Sequence, residues 1–197
     1  MHRSYAIIPA AGRSSRMGAR KLLMPWGEST VIEHVLGVWR ASSVTRVVVV
    51  VCPGDEDLPA LCGPCGAEVV VPPSPPEDMK ASVRFGLEFI TRTWLPQPSD
   101  VWLLAPADMP RLSSRIIDQL VELHDPNHPR IIVPANQGKR GHPVLFPWPA
   151  AEAVHQLAAH EGVNALLARY ALRTIECDDP GIFHDLDTPE DYRRLRE

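Results

Sequence analysis

Tyr5-Ala6-Ile7-Ile8-Pro9-Ala10-Ala11-Gly12-Arg13-Ser14-Ser15-Arg16-Met17-Gly18-Ala19-Arg20-Lys21 passes from an apolar run into small residues, two glycines and four basic side chains. Small residues let a backbone come close to a ligand, and glycine supplies positive φ where a loop must fold around one. Successive N–H groups in such a loop form an anion-binding concavity, and Arg and Lys neutralise the charge that remains. The stretch therefore predicts a strand whose following loop cradles a polyphosphate. It is not a P-loop, because five residues separate Gly12 from Gly18 and Lys21 follows only after Ala19 and Arg20. It is not the G-x-G-x-x-G of a dinucleotide site either. The plain alternative is a solvated basic loop, and the rest of the chain weighs against it.

Working outward, strand and helix patterns alternate. Residues 47–51, 69–71, 101–104 and 131–133 join 5–8 as short, β-branched, continuously apolar runs. Such runs suit strands covered on both faces, as in a parallel sheet. Between them, residues 30–40 carry a capping-box pair, Thr30 and Glu33, with Ile32, Val35, Leu36 and Trp39 at helical spacing. Residues 79–89 and 113–124 show similar spacing, with Ser113 as the expected cap of the latter. This rhythm predicts an α/β fold, a Rossmann-like, doubly wound, mostly parallel sheet in a single domain over residues 1–197. Asn136-Gln137-Gly138-Lys139-Arg140-Gly141 reads as a hairpin or functional loop before a strand at 144–146. A helix over 150–169, a strand at 172–176 and a last helix with Thr188 as cap and Pro189 at its first position complete the chain. The proline-rich 71–76 segment reads as a stiff loop.

Composition narrows the function. A formal net charge of −4 argues against a dedicated nucleic-acid binder, which would show a basic stripe. No window approaches the roughly 18 consecutive apolar residues of a membrane span. The chain moves from Met1-His2-Arg3-Ser4 directly into a strand pattern, so a cytoplasmic enzyme is the expectation. Cys62-Gly63-Pro64-Cys65 spells a redox tetrapeptide, but a strand pattern follows it at once, leaving no helix N-terminus to activate a thiol. A turn between helix and strand, with reduced structural cysteines, is the expected outcome.

Two further strand ends carry chemistry. The run Val101-Trp102-Leu103-Leu104-Ala105-Pro106-Ala107 delivers Asp108 to the side where ligands bind in open α/β sheets. A carboxylate there is placed to hold Mg²⁺, which takes one or two carboxylates together with phosphates and water. Asp108 lies too early to cap the following helix. In Asp185-Leu186-Asp187, alternation along an extended segment puts both carboxylates on one side. A simple turn before the last helix is the competing explanation.

The ordered set Ala-Ala-Gly-x-Ser-x-Arg-Met-Gly-x-x-Lys, Met79-x-x-Ser82-Val83-x-x-Gly86-Leu87, Asp108-x-Pro110, Gly141-His142-Pro143-Val144-Leu145-Phe146 and Asp185-x-Asp187-Thr188-Pro189-Glu190-Asp191 resembles the molybdenum cofactor nucleotidyltransferases, in particular their cytidylyltransferase branch. The resemblance spans nearly the whole chain. It implies a fold of the nucleotide-diphospho-sugar-transferase type with a small acceptor-binding hairpin region. It implies that Ala10, Ala11, Gly12, Arg13 and Ser14 contact the nucleotide and that Arg16 and Lys21 bind the triphosphate. Ser82 would contact cytosine; Asp108, Asp185 and Asp187 would hold Mg²⁺; and Gly141, His142 and Pro143 would face a phosphorylated pterin. Lys21, Arg16 and Asp108 are the expected catalytic set. Three departures from the family pattern stand out. Lys80 takes a place that is usually small, the preceding Pro75-Pro76-Glu77-Asp78 is unusual, and His160-Glu161-Gly162-Val163-Asn164 replaces a segment closer to Gly-Asp-x-Gly-Ala-Arg.

The implied reaction transfers CMP from CTP to an acceptor phosphate with release of pyrophosphate, and a molybdoenzyme would be a transient partner for the product. A phosphate monoester, with a second pKa of about 6, is already largely dianionic at neutral pH and needs no general base. Transfer to a sugar 1-phosphate or another phosphorylated metabolite, or use of GTP, remains open on the residues alone. A nucleotide-binding regulator without turnover fits less well with Lys21, Asp108 and Asp187 all present.

Overall fold

The computed structural model describes residues 2–12, 17 and 19–196. β1 (Ser4–Pro9) runs on into Ala10, Ala11 and Gly12. A 3₁₀ turn (Lys21–Leu23) and a short hairpin, β2 (Pro25–Trp26) and β3 (Ser29–Thr30), then precede α1 (Val31–Arg40). Next come β4 (Arg46–Val50), α2 (Asp57–Cys62), β5 (Glu68–Val70), α3 (Met79–Trp94), β6 (Val101–Leu104) and α4 (Ser114–Glu122). The second half holds β7 (Ile131–Asn136), β8 (Lys139–Arg140), β9 (Val144–Pro147), α5 (Ala150–His155), a 3₁₀ turn (Val163–Ala168), β10 (Leu172–Glu176), another 3₁₀ turn (Pro180–Phe183) and α6 (Pro189–Arg196).

The main sheet runs β10-β7-β9-β6-β1-β4-β5, with β8 turned back on β7. β1 pairs in parallel with both β4 and β6, and β5 and β10 are likewise parallel to their neighbours. β9 opposes both β6 and β7, so the expected parallel sheet carries one antiparallel strand in its interior. The chain leaves β1 for β4 and β5 on one side, then returns to β6 on the other. The topological switch point thus lies between β1 and β6, and a crevice opens beyond their carboxyl ends.

The continuous apolar runs follow from helices on both faces. Along β1, Ala6 and Ile8 enter one core with residues of α1 and α4, while Tyr5 and Ile7 enter the other with residues of α3 and α5. Gly86 is what lets α3 lie so close to the sheet, since a Cβ there would sit 2.9 Å from Ile7 Cγ2. The capping box at Thr30 and Glu33 forms as expected, and Thr188 with Asp191 makes the equivalent pair at α6. Ser113 occupies the cap position of α4, but its hydroxyl donates to Asp179 Oδ2 at 2.8 Å instead. Gln137 and Gly138, both at positive φ, form the two-residue turn joining β7 to β8, a geometry that matches the twist of a tight hairpin. Among the described residues no helix is long and apolar enough to cross a membrane.

One expected element is corrected. The helix predicted over 150–169 stops at His155 and resumes only as the 3₁₀ turn at Val163–Ala168. Arg84 donates to the carbonyls of Val154, His155 and Leu157, and the buried Lys80 ammonium donates to those of Ala158, Ala159 and Glu161 at 2.7–2.9 Å. Both cations stand on α3, one turn apart. They take the carbonyls that a continuing helix would have used, Arg84 at the negative end of α5 and Lys80 in the turn beyond it. Glu161 closes the turn by accepting from Ala158 N at 2.9 Å while pairing with Arg169.

At the opposite end of the sheet from the crevice, buried Asp100 accepts from the backbone N–H groups of Arg3 and Gln97, both at 2.8 Å, and from the Arg3 guanidinium. Burial works to raise its pKa, but these donors outweigh it and hold the carboxyl below the usual range. A carboxylate depressed in the fold contributes stability above its unfolded pKa and loses it as pH falls through the folded value. Asp100→Asn should therefore cost about 2 kcal/mol at pH 7. The difference in melting temperature from the native chain should shrink below about pH 4. Melting curves at pH 7 and pH 3 check this, and a gap unchanged between them would contradict it.

Candidate active site

The ends of β1 and β6 border a cleft of about 710 Å³. Pro9, Ala10, Ala11 and Gly12 follow β1 along one side, and Pro106, Ala107 and Asp108 follow β6 along another. Ala10 N donates to Val50 O at 2.8 Å, which holds the chain in sheet register just past β1. Leu22 is buried and fixes the backbone beside Lys21. Leu186, also fully buried, donates its N–H to Asp108 O at 2.9 Å. Asp185 and Asp187 flank this anchor and both line the cleft, as alternation along an extended segment requires. Pro75, Pro76, Glu77, Asp78, Met79 and buried Ser82 complete the lining from the loop before α3 and its first turn.

Charge is concentrated around Asp108. The Lys21 ammonium donates to Asp108 Oδ2 and lies 3.6 Å from Asp187 Oδ1. The second oxygen, Asp108 Oδ1, is buried and has no hydrogen-bond partner among the described residues. Burial first, then the charges of Asp187 and Asp108, hold Asp185 above the ordinary carboxylate range against the pull of Lys21. An orphaned buried carboxylate oxygen beside two more acids suits a hard divalent cation that completes its shell with phosphate oxygens and water. Among the described residues no three His, Cys, Asp or Glu side chains gather closely enough to hold a metal unaided.

Of the residues singled out in the sequence, Ala10, Ala11, Gly12, Lys21, Ser82, Asp108, Asp185 and Asp187 meet in this cleft. Arg13, Ser14 and Arg16 lie outside the described residues. Gly141, His142 and Pro143 do not line the cleft. Gly141 is buried against the turn that precedes Asp185, where a Cβ would lie 2.6 Å from Ile182 O. His142 donates its N–H to Ile182 O at 2.9 Å and sets its ring Nδ1 3.4 Å from Leu104 O. Burial holds its imidazole below the ordinary pKa, although the charges of Asp185 and Asp108 pull the other way. The hairpin thus packs on the segment that carries Asp185 and Asp187. Arg20, next to Lys21, folds back onto Asp55 at 2.6 Å and onto Asp57.

Sequence reasoning missed Cys52, which follows β4 and lines the cleft, and the cleft-lining position of the Pro75–Met79 stretch. A search of every strand end would have found the first. The second was legible only as a stiff loop, because its partner walls lie far away in sequence. The Cys62–Cys65 stretch closes α2 and turns into β5 as expected, and burial pushes the Cys62 thiol up to about 12.

Residues 6–174 match the family described as the MobA-like NTP transferase domain. The molybdenum cofactor cytidylyltransferase of Escherichia coli (strain K12) is 24% identical over 191 residues, covering 97% of this chain and 94% of its own. A probable molybdenum cofactor guanylyltransferase of Bacillus mycoides (strain KBAB4) is 27% identical over 208 residues, covering 98% and 95%. Among solved structures, Rv0371c from Mycobacterium tuberculosis H37Rv superposes with a TM-score of 0.81 at 26% identity, covering 100% of this chain and 98% of that one. Its complex with manganese gives a TM-score of 0.78 at 26% identity, over 98% and 97%. The mostly parallel sheet is of the nucleotide-diphospho-sugar-transferase type, as expected from the sequence.

Proposed function

Because the chain belongs to the MobA-like NTP transferase family and is a nucleotidyltransferase, we propose that it transfers CMP from CTP to a phosphorylated acceptor, the pterin of the molybdenum cofactor. The observation that carries this is the convergence on one cleft of the Ala10–Gly12 loop, Lys21, three carboxylates and Ser82. On this reading the acceptor phosphate attacks the α-phosphorus in line and pyrophosphate leaves. No protein base is needed, because the attacking phosphate is already anionic near neutral pH, its second pKa being about 6.

The protein's task is alignment and neutralisation of charge between two anions. Backbone N–H groups around Ala11 and Gly12 would receive phosphate oxygens, and Arg16 would add a cation from the same loop. Lys21 would oppose the charge that grows as pyrophosphate departs. Asp108, with Asp187 and Asp185 beside it, would hold Mg²⁺, and the unpartnered Asp108 Oδ1 supports that fit. Such an ion, when bound, supplies charge stabilisation at the phosphates and orients them. Gly141, His142 and Pro143 would act indirectly, by packing on the turn at Ile182 that leads to Asp185 and Asp187. The enzyme would work in the cytoplasm and pass its product to a molybdoenzyme by transient contact.

Ser82 would read the base. Its hydroxyl leans weakly on Asp78 O at 3.4 Å and keeps acceptor capacity for the exocyclic amine of cytosine. A buried polar group left unpaired by the wrong base gives strong discrimination. CTP should therefore be used in preference to GTP and ATP, and Ser82→Ala should lower kcat/KM for CTP by about tenfold. Pyrophosphate release from each nucleotide at equal concentration, with Mg²⁺ and molybdopterin, tests this. Equal or better use of GTP would move the protein to the guanylyl side of the family, to which some relatives' names point.

A further inference from the structure

The position of Lys21 has a consequence for how metal enters the site. Its ammonium is in contact with Asp108 Oδ2 and stands 3.6 Å from Asp187 Oδ1, so it sits between two of the oxygens a divalent cation would need. Leu22, buried next to it, anchors the backbone on which this side chain pivots. Among the described residues, buried Asp108 Oδ1 has no hydrogen-bond partner and the side chains form no self-sufficient metal cage. A divalent cation at Asp108 would therefore depend on phosphate oxygens for part of its shell. It would also approach the ammonium closely, and like charges repel in inverse proportion to distance.

We propose that Lys21 and the divalent cation compete for Asp108 and Asp187, so that the protein takes up metal tightly only together with a nucleoside triphosphate whose phosphates draw the ammonium away. This inference rests on Asp108 and Asp187 being the residues that hold the metal, and it adds an order of binding to that assignment. Without nucleotide, Lys21 offsets part of the negative charge of Asp108, Asp185 and Asp187. With nucleotide, the same ammonium moves to the phosphates and leaves the carboxylates to the metal. The lysine is thus a gate on metal entry as well as a phosphate ligand.

Mn²⁺ serves as the probe, because the electron paramagnetic resonance signal of the free ion disappears on binding, without reference to turnover. The native chain, Lys21→Met and Asp108→Asn are titrated with and without α,β-methylene CTP, the analogue alone being subtracted as a control. Lys21→Met should bind Mn²⁺ without nucleotide at least about tenfold more tightly than the native chain, since it has lost a neighbouring like charge. Lys21→Gln, of similar length, should do the same if Lys21→Met folds poorly by circular dichroism. The native chain should gain tight Mn²⁺ binding once the analogue is added, and Asp108→Asn should bind weakly throughout. Equal affinities of the native chain and both Lys21 variants without nucleotide would overturn the competition while leaving the metal assignment intact. Binding by Asp108→Asn as tight as native, or no binding by any protein with the analogue present, would remove the metal assignment itself.

Discussion

Asp108→Asn should lower kcat by at least about a hundredfold at saturating Mg²⁺, because metal-supported charge stabilisation is worth several kcal/mol in the transition state. The substitution keeps the side chain's shape, and Leu186 N bonds to the backbone carbonyl of Asp108, not to its carboxylate, so that anchor survives. Melting temperature should therefore change little. Steady-state kinetics with calorimetry on the same sample separates the two effects. Near-native turnover would remove Asp108 from the chemistry. A large fall in melting temperature would make it a structural residue.

Lys21→Ala carries the second large effect, again a loss of a hundredfold or more in kcat, the size expected on removing one preorganised stabiliser of developing charge. Its neighbour Arg20 makes an instructive contrast. Arg20 is half-exposed and pairs with Asp55 and with the exposed Asp57, so screening by solvent leaves its removal mild. Lys21→Arg should fail as well, because a planar fork does not replace a compact point charge against the Asp108 carboxylate. If Lys21→Ala raised KM for the nucleotide and left kcat intact, the residue would act in ground-state binding alone. The same variant should bind Mn²⁺ more tightly while turning over more slowly. A generally damaged protein would not show that opposition.

Much of the fold was legible because local and global signals agree. β1 buries alternate residues in cores on opposite faces, so its apolar run is unbroken, and that alone marks a strand inside a two-faced sheet. Thr30 with Glu33, and Thr188 with Pro189, announce helix starts through hydrogen bonds made within one turn. The break after α5 was not legible, because it depends on Lys80 and Arg84 reaching carbonyls about seventy to eighty residues away. The chemistry behind Lys80 as a departure from the family pattern is the same: it is a buried cation that caps a loop. β9 was foreseen as a strand but not as an antiparallel insertion between β6 and β7, since a short apolar run carries no direction.

Similar limits apply to the cleft. Gly12, Lys21 and Asp108 stood out by residue type at strand ends, and the fold brings them together. The contact of Lys21 with Asp108, 87 residues apart, needed the switch point between β1 and β6 to be known. The Gly141-His142-Pro143 motif named a position without its role in packing. Only the structure shows Gly141 closing on Ile182, upstream of Asp185 and Asp187.

The most direct test of nucleotidyl transfer follows the α-phosphorus. CTP carrying ³²P at the α-position is incubated with the protein, Mg²⁺ and molybdopterin, and the products are separated by charge. The account predicts that label moves onto the pterin in amounts equal to the pyrophosphate released, and that Asp108→Asn abolishes both. Label appearing only in free CMP, or remaining in CTP while the pterin stays unmodified, would contradict it.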